Sequence, residues 1–320
     1  MSNPVTEDFI SYIAGIRRYS PRTRSIYRNA LDRFFAWAGE DSASCLDNRT
    51  LRAYEVYMMD ELKESARTVN LHLSILSSLC RHLMKEGVLQ SNPVRLVPRP
   101  KSGRRLPQFY REESILEYFK GTDYYVSEEF VDILSQTADK DSYCKILKRL
   151  VVSLLYNTGI RRSELISLNR SSLDRQRRVL KVHGKGDKDR EIPIVPSLFE
   201  ELSLYLIAVS SFISCTPSPD TPLLLTPKGG RLYPVYVDRI IKEELGGISG
   251  ITGRKSPHVL RHTIASELLG GGTDLNSIKE FLGHSSLAAT QVYTHSTIER
   301  LQSVYNNAHP RAKNGGNNGD

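Results

Sequence analysis

Apolar residues recur at helical spacing through the first ninety positions of the chain. In SPRTRSIYRNALDRFFAWAG, Ser20 stands as an N-cap with Pro21 at the first helical position. Ile26, Ala30 and Phe34 then line one face, with Leu31, Phe35 and Ala38 beside them, as far as Gly39. The stretch SARTVNLHLSILSSLCRHLMKEG follows the same logic. Ser65 caps it, Val69, Leu73, Leu76, Cys80 and Leu83 form the stripe, and Gly87 ends it. Shorter helices are predicted near 6–15 and 49–62.

Residues 92–107, NPVRLVPRPKSGRRLP, break this pattern with four prolines and a run of cations. They are predicted to be extended and exposed, a linker between two domains. The division expected is a helical domain over 1–92, a linker over 93–107, a second domain over 108–308 and a Gly/Asn-rich disordered tail over 309–320. Helical spacing resumes over 111–120 and 141–157. RVLKVHGKGDKDREIPIV then alternates with a period of two, Leu180 and Val182 on one strand, Ile192 and Ile194 on the next. Further helices are predicted over 197–212, 234–245, 257–269, 274–282, 286–293 and 297–305. In the last of these Ile298, Leu301 and Tyr305 make an apolar stripe, suited to docking on a neighbouring copy or on the chain itself. The fold class is therefore mainly α, with one small antiparallel sheet.

Charge adds a partner to this picture. The chain of 320 residues carries a formal net charge of +8, which favours a polyanion such as nucleic acid. Up to Arg105 there are 17 Lys and Arg against 11 Asp and Glu, so most of the excess lies in the first third. Arg17, Arg18, Arg22, Arg24 and Arg28 gather around one helix start, where guanidinium forks and unpaired N–H groups meet backbone phosphates; the alternative is a solvated helix face. Cys45, Cys80, Cys144 and Cys215 lack zinc-site spacing and read as reduced thiols. With no signal-like N-terminus and no run of eighteen apolar residues, a cytoplasmic chain without membrane insertion is expected.

The candidate chemistry lies in the last half. In SPHVLRH, Ser256 and Pro257 open a helix, so His258 falls in the first turn and Arg261 lies three residues on, offering an imidazole and a guanidinium to one anion. A capped helix with an incidental His and Arg is the plainer reading of that heptapeptide alone. His284 follows the helix stop at Gly283, and Tyr293 comes nine residues later. Arg161, at the junction of two helices in NTGIRRSEL, either pairs with a carboxylate such as Glu164 or reaches into a cleft. Lys185 sits at the hairpin tip, where a flexible ammonium reaches outward. GKGDKD lacks the spacing of a nucleotide-binding phosphate loop.

Taken in order, TGIRRSEL, GKGDKDREIP, SPHVLRH, LGHSSLAATQVYTH and AHPRA resemble the motifs of the tyrosine recombinases of the phage integrase family, specifically the short Xer type. The resemblance implies an N-terminal, SAM-like core-binding domain and a mostly helical catalytic domain with a small sheet, the DNA breaking-rejoining fold. It implies that Arg161, Lys185, His258, Arg261, His284 and Tyr293 form the active site, with Glu164 in support, and that neither metal nor cofactor takes part. By that similarity Tyr293 attacks a backbone phosphate to give a 3′-phosphotyrosyl link, and a Holliday junction follows. Implied partners are a double-stranded recombination site, copies of itself or a paralogue in a tetramer, and a DNA translocase in some systems. Resolution of chromosome or plasmid dimers is the leading role; integration or inversion by a mobile element shares every catalytic residue. An architectural DNA-binding protein without catalysis is disfavoured by the complete set. Two departures stand out: residues 119–146 are longer than the family's usual pattern, as an insertion or an altered helical hairpin, and QFYREES replaces its usual leucine-serine start of the first catalytic helix.

Overall fold

Side-chain oxygens set the helix starts of the first unit, because each N-terminus leaves N–H groups without partners. The computed structural model describes residues 3–39, 42–101, 109–137, 139–184, 188–213, 218–251 and 253–283. Asn3 accepts from the N–H groups of Val5 and Thr6 to open α1 (Pro4–Gly15), and Ser20 accepts from Thr23 to open α2 (Pro21–Ala38). Asp47 caps α3 (Asn48–Val56), which runs on into a π-helical turn at Tyr57–Glu61, and Ser65 caps α4 (Ala66–Lys85). The chain divides into two compact units at residues 105 and 106, each with its own apolar core.

Phe9, Leu31, Phe34, Leu51, Tyr54, Met58, Leu76 and Leu79 form the first core. The predicted α4 stripe from Val69 to Leu83 is buried throughout. Ile26 differs from expectation, with 41% of its surface exposed. Eight residues advance a helix about 80° beyond whole turns, so Ile26 has rotated off the face that Ala30, Leu31, Phe34 and Phe35 present to the core. The proline-rich stretch also departs from the extended, exposed reading. Pro93–Leu96 is a 3₁₀ turn capped by Asn92, and Val94 and Val97 are buried in the first core. Two apolar side chains among the prolines outweigh the local preference for an open linker.

In the second unit α5 (Glu112–Thr122), a 3₁₀ turn at Asp123–Val126, α6 (Glu128–Thr137) and α7 (Lys140–Thr158) follow in turn. The longer stretch over 119–146 is thus a helical hairpin: Phe119, Phe130, Val131, Leu134 and Tyr143 are all core residues. Central α7 packs against α9 (Pro196–Phe212), α10 (Pro234–Glu244) and α11 (Pro257–Gly270), and residues 150–158 and Ile160 show no exposed surface. Between α7 and α9 come α8 (Arg162–Ser167) and an antiparallel sheet in the order β1 (Leu173–Asp174), β2 (Val179–Gly184), β3 (Lys188–Pro193). Its register pairs Leu180 with Ile192 and Val182 with Arg190, placing these four on the buried face. The short α12 (Leu275–Leu282) is the last described element, with Asp274 accepting from the N–H groups of Asn276 and Ser277. No described helix is long and apolar enough to cross a membrane.

Candidate active site

The turn between α7 and α8 is a glycine position on two counts. Gly159 adopts φ +58, and a Cβ there would lie 2.6 Å from Leu282 Cδ2 of α12. Two residues later Arg161 takes the N-cap position of α8, and Glu164, three residues on, reaches back to it. The Glu164 carboxylate accepts the Arg161 backbone N–H at 2.9 Å and Arg161 Nη1 at 2.7 Å. From β3, Arg190 donates Nη2 to Glu164 Oε2 at 2.7 Å and Nη1 to Oε1 at 3.3 Å. Burial alone would raise the Glu164 pKa, but the bonds and charge of Arg190, joined by Arg161, outweigh it and hold the carboxyl at about 2. A permanently charged brace results.

The C-terminus of α12 meets the same cluster. Arg161 Nη2 donates to the Gly283 carbonyl at 2.9 Å, while buried Arg261 donates to the carbonyls of Gly159 and Leu282. Guanidinium groups are favoured there, since the last carbonyls of a helix lack internal partners and carry its negative end. Gly283 itself has φ +67, and a Cβ would press to 2.9 Å from Arg190 Nη1. Desolvation, followed by the charge of Arg161, lowers Arg261 to about 10, so it keeps its proton at neutral pH. One turn back along α11, His258 is exposed, and its pKa falls below the ordinary value through partial desolvation and the electrostatic influence of neighbouring His262 and Arg261. The neutral imidazole is thereby favoured, facing solvent one turn from Arg261.

Of the residues expected in the site, the structure brings Arg161, Glu164 and Arg261 into one network, with His258 on the first turn of α11. Lys185, His284 and Tyr293 lie outside the described residues. Ser256 holds the N-cap position of α11 but makes no side-chain capping bond, contrary to expectation. Arg190 is the residue that motif reading missed. Its signal was present: in DREIPIV it shares the inward register of Ile192 and Ile194, and a charge in that register requires a buried counter-charge. Among the N-terminal arginines, Arg17, Arg18 and Arg22 are exposed, Arg24 is half-buried, and Arg28 forks onto both oxygens of Glu7.

Two family models match this chain: the phage integrase family over residues 125–300, and the phage integrase N-terminal SAM-like domain over residues 6–88. The chain belongs to the phage integrase family, the tyrosine recombinases. It is 32% identical over 317 residues to the tyrosine recombinase XerC of Chlorobaculum parvum, covering 96% of this chain and 94% of that one. With XerC of Bacillus pumilus it shares 33% identity over 308 residues, 95% of each chain. In fold it resembles the XerH site-specific recombinase solved with a palindromic difH substrate as a post-cleavage complex. That match has a TM-score of 0.65 at 20% identity and covers 93% of this chain and 83% of that chain.

Proposed function

We propose that this chain is a site-specific recombinase that cuts and rejoins double-stranded DNA in the cytoplasm, resolving chromosome or plasmid dimers as part of a tetramer. The observation that carries the reading is the fixed pair Arg161 and Arg261, braced by Glu164 and Arg190 at the end of α12, two residues before His284. Near-full-length similarity to XerC proteins supports the finer role.

The chemistry follows from charge. Attack on a phosphodiester places extra negative charge on the non-bridging oxygens, and cations already in position lower that barrier without reorganising. Arg161 and Arg261 are proposed to clamp these oxygens, with His284 adding a hydrogen bond. Tyr293 Oη forms the new bond to phosphorus as the bond to the 5′-oxygen breaks. Its proton, which a free tyrosine holds with a pKa of roughly 10, passes to His258, whose lowered pKa favours the neutral imidazole that can accept it. Lys185 supplies a proton to the departing 5′-oxygen. One phosphate ester replaces another, so the step is nearly isoenergetic, and the 5′-hydroxyl of a partner duplex reverses it to complete exchange.

The test is covalent capture. Incubated with sheared genomic DNA of its host, the chain is expected to form an adduct that survives detergent and maps to Tyr293 by peptide mass, and sequencing the trapped DNA gives the site. Tyr293→Phe is expected to form none. Adducts persisting in that variant would overturn the assignment of the nucleophile.

A further inference from the structure

QFYREES stands in place of the leucine-serine start usual for the family's first catalytic helix, and Tyr110 within it bonds to the backbone around α11. Arg111 holds the N-cap position of α5 without a side-chain capping bond. Tyr110, with 3% of its surface exposed, turns inward to α11. Its phenol donates to the Arg254 carbonyl at 3.0 Å and accepts the Ser256 N–H at 3.3 Å. Its own N–H donates to Thr263 Oγ1 at 2.9 Å, and that hydroxyl donates in turn to the Val259 carbonyl at 3.0 Å. One residue thus grips the backbone just before α11 and its second turn.

His258 lies between the two grips, and Arg261 lies just inside the second. Ser256 provides no side-chain cap, so the entry of the chain into α11 depends on other bonds. A leucine would fill the same apolar space but would leave the Ser256 N–H, in a largely buried residue, without this acceptor. Burial pushes the Tyr110 phenol up to about 12, which keeps it protonated and able to donate and accept at once.

We propose that Tyr110 is a positioning residue for strand cleavage: its phenol splints the Arg254–Ser256 backbone and thereby sets the imidazole of His258 relative to Arg261. The inference rests on the recombinase reading, since cleavage is the step affected. Small displacements of a proton acceptor matter because transfer requires hydrogen-bond reach in the transition state.

Tyr110→Phe in the full chain keeps the ring and removes both phenol bonds. Two measurements test it. Without DNA, the Ser256 amide is expected to exchange at least tenfold faster and the His258 ring resonances to shift, while the melting temperature moves by only a few degrees. On a nicked duplex carrying the site recovered from wild-type adducts, single-turnover cleavage is expected to slow about tenfold with the dissociation constant within twofold. The acid limb of its pH profile, below the ordinary histidine value of about 6.5 in the wild type, is expected to move. Unchanged amide exchange and ring resonances would overturn the proposal whether or not the wild type cleaves DNA. So would a wild-type cleavage rate, or losses of binding and cleavage that match a loss of folded protein. Failure of the wild type to form any adduct would instead count against the recombinase reading.

Discussion

Two carboxylates of the second unit, Glu164 and Glu267, are both withdrawn from water, and their neighbours drive them in opposite directions. Glu164 meets the guanidinium groups of Arg190 and Arg161 and titrates at about 2. Glu267, on α11 six residues beyond Arg261, accepts the Tyr156 hydroxyl at 2.8 Å as its one hydrogen bond among the described residues. Burial raises it to about 7, with Glu112 adding to the rise and the Tyr156 bond opposing it. Desolvation alone therefore does not decide the charge of a buried acid; the sign of the nearest partner does. The site is the place where the chain supplies cations in excess, and it needs the one carboxylate to hold them apart and in register.

The comparison breaks most visibly at Glu164. In Glu164→Gln two guanidinium forks face a neutral amide, and a loss of about 3–5 kcal/mol is expected, as when one partner of a buried ion pair is removed. The folded pKa lies below the unfolded one, so the stabilisation is present above roughly pH 4–5 and is lost as pH falls toward 2. Urea unfolding at pH 7 should show the full deficit, and at pH 3 a smaller one. A deficit of equal size at both pH values would mean that packing, and not charge pairing, is what Glu164 contributes.

Glu267 should behave in the reverse sense. Its folded pKa lies above the unfolded value, so the wild type loses stability as pH rises from about 4.5 through 7. Glu267→Gln removes that titration while keeping an acceptor for Tyr156. At pH 8 the variant should be more stable by on the order of 1 kcal/mol, the gain being held down by an amide N–H₂ group placed where Glu267 Oε1 has no partner among the described residues. At pH 5 the gain should vanish. A variant less stable than the wild type at pH 8 would show that the buried carboxylate has a favourable partner after all.

Much of this arrangement was legible in the chain. The α4 stripe was readable because its apolar positions keep to a single helical period, and the motif order placed Arg161 and Arg261 in one site before their common anchor on α12 was seen. What escaped reading depends on contacts distant in sequence. Glu164 and Arg190 are 26 residues apart, and only the strand register links them. The helix α6 falls where the sequence leaves an insertion and a helical hairpin both open, although Ser127 Oγ accepts the Phe130 N–H at its start. Burial of Val94 and Val97 was obscured by the prolines around them. Tyr110 read as a local substitution because its partners lie 144 and 146 residues away.

The smallest effect sharpens the comparison at the protein surface. Arg28 and Arg22 belong to the same helix, α2, yet Arg28 is forked onto Glu7 whereas Arg22 is exposed. An arginine already neutralised by a carboxylate releases few counterions on meeting DNA, whereas a solvated one that meets a phosphate contributes about 0.9 to the slope of log affinity against log salt. Titrating a random-sequence duplex at several salt concentrations should therefore give a shallower slope for Arg22→Ala and an unchanged slope for Arg28→Ala. Equal losses of slope in the two variants would show that DNA displaces Glu7 from Arg28, extending the phosphate-contacting surface along α2. No change in either would move that surface away from α2 and leave its arginines as a solvated face.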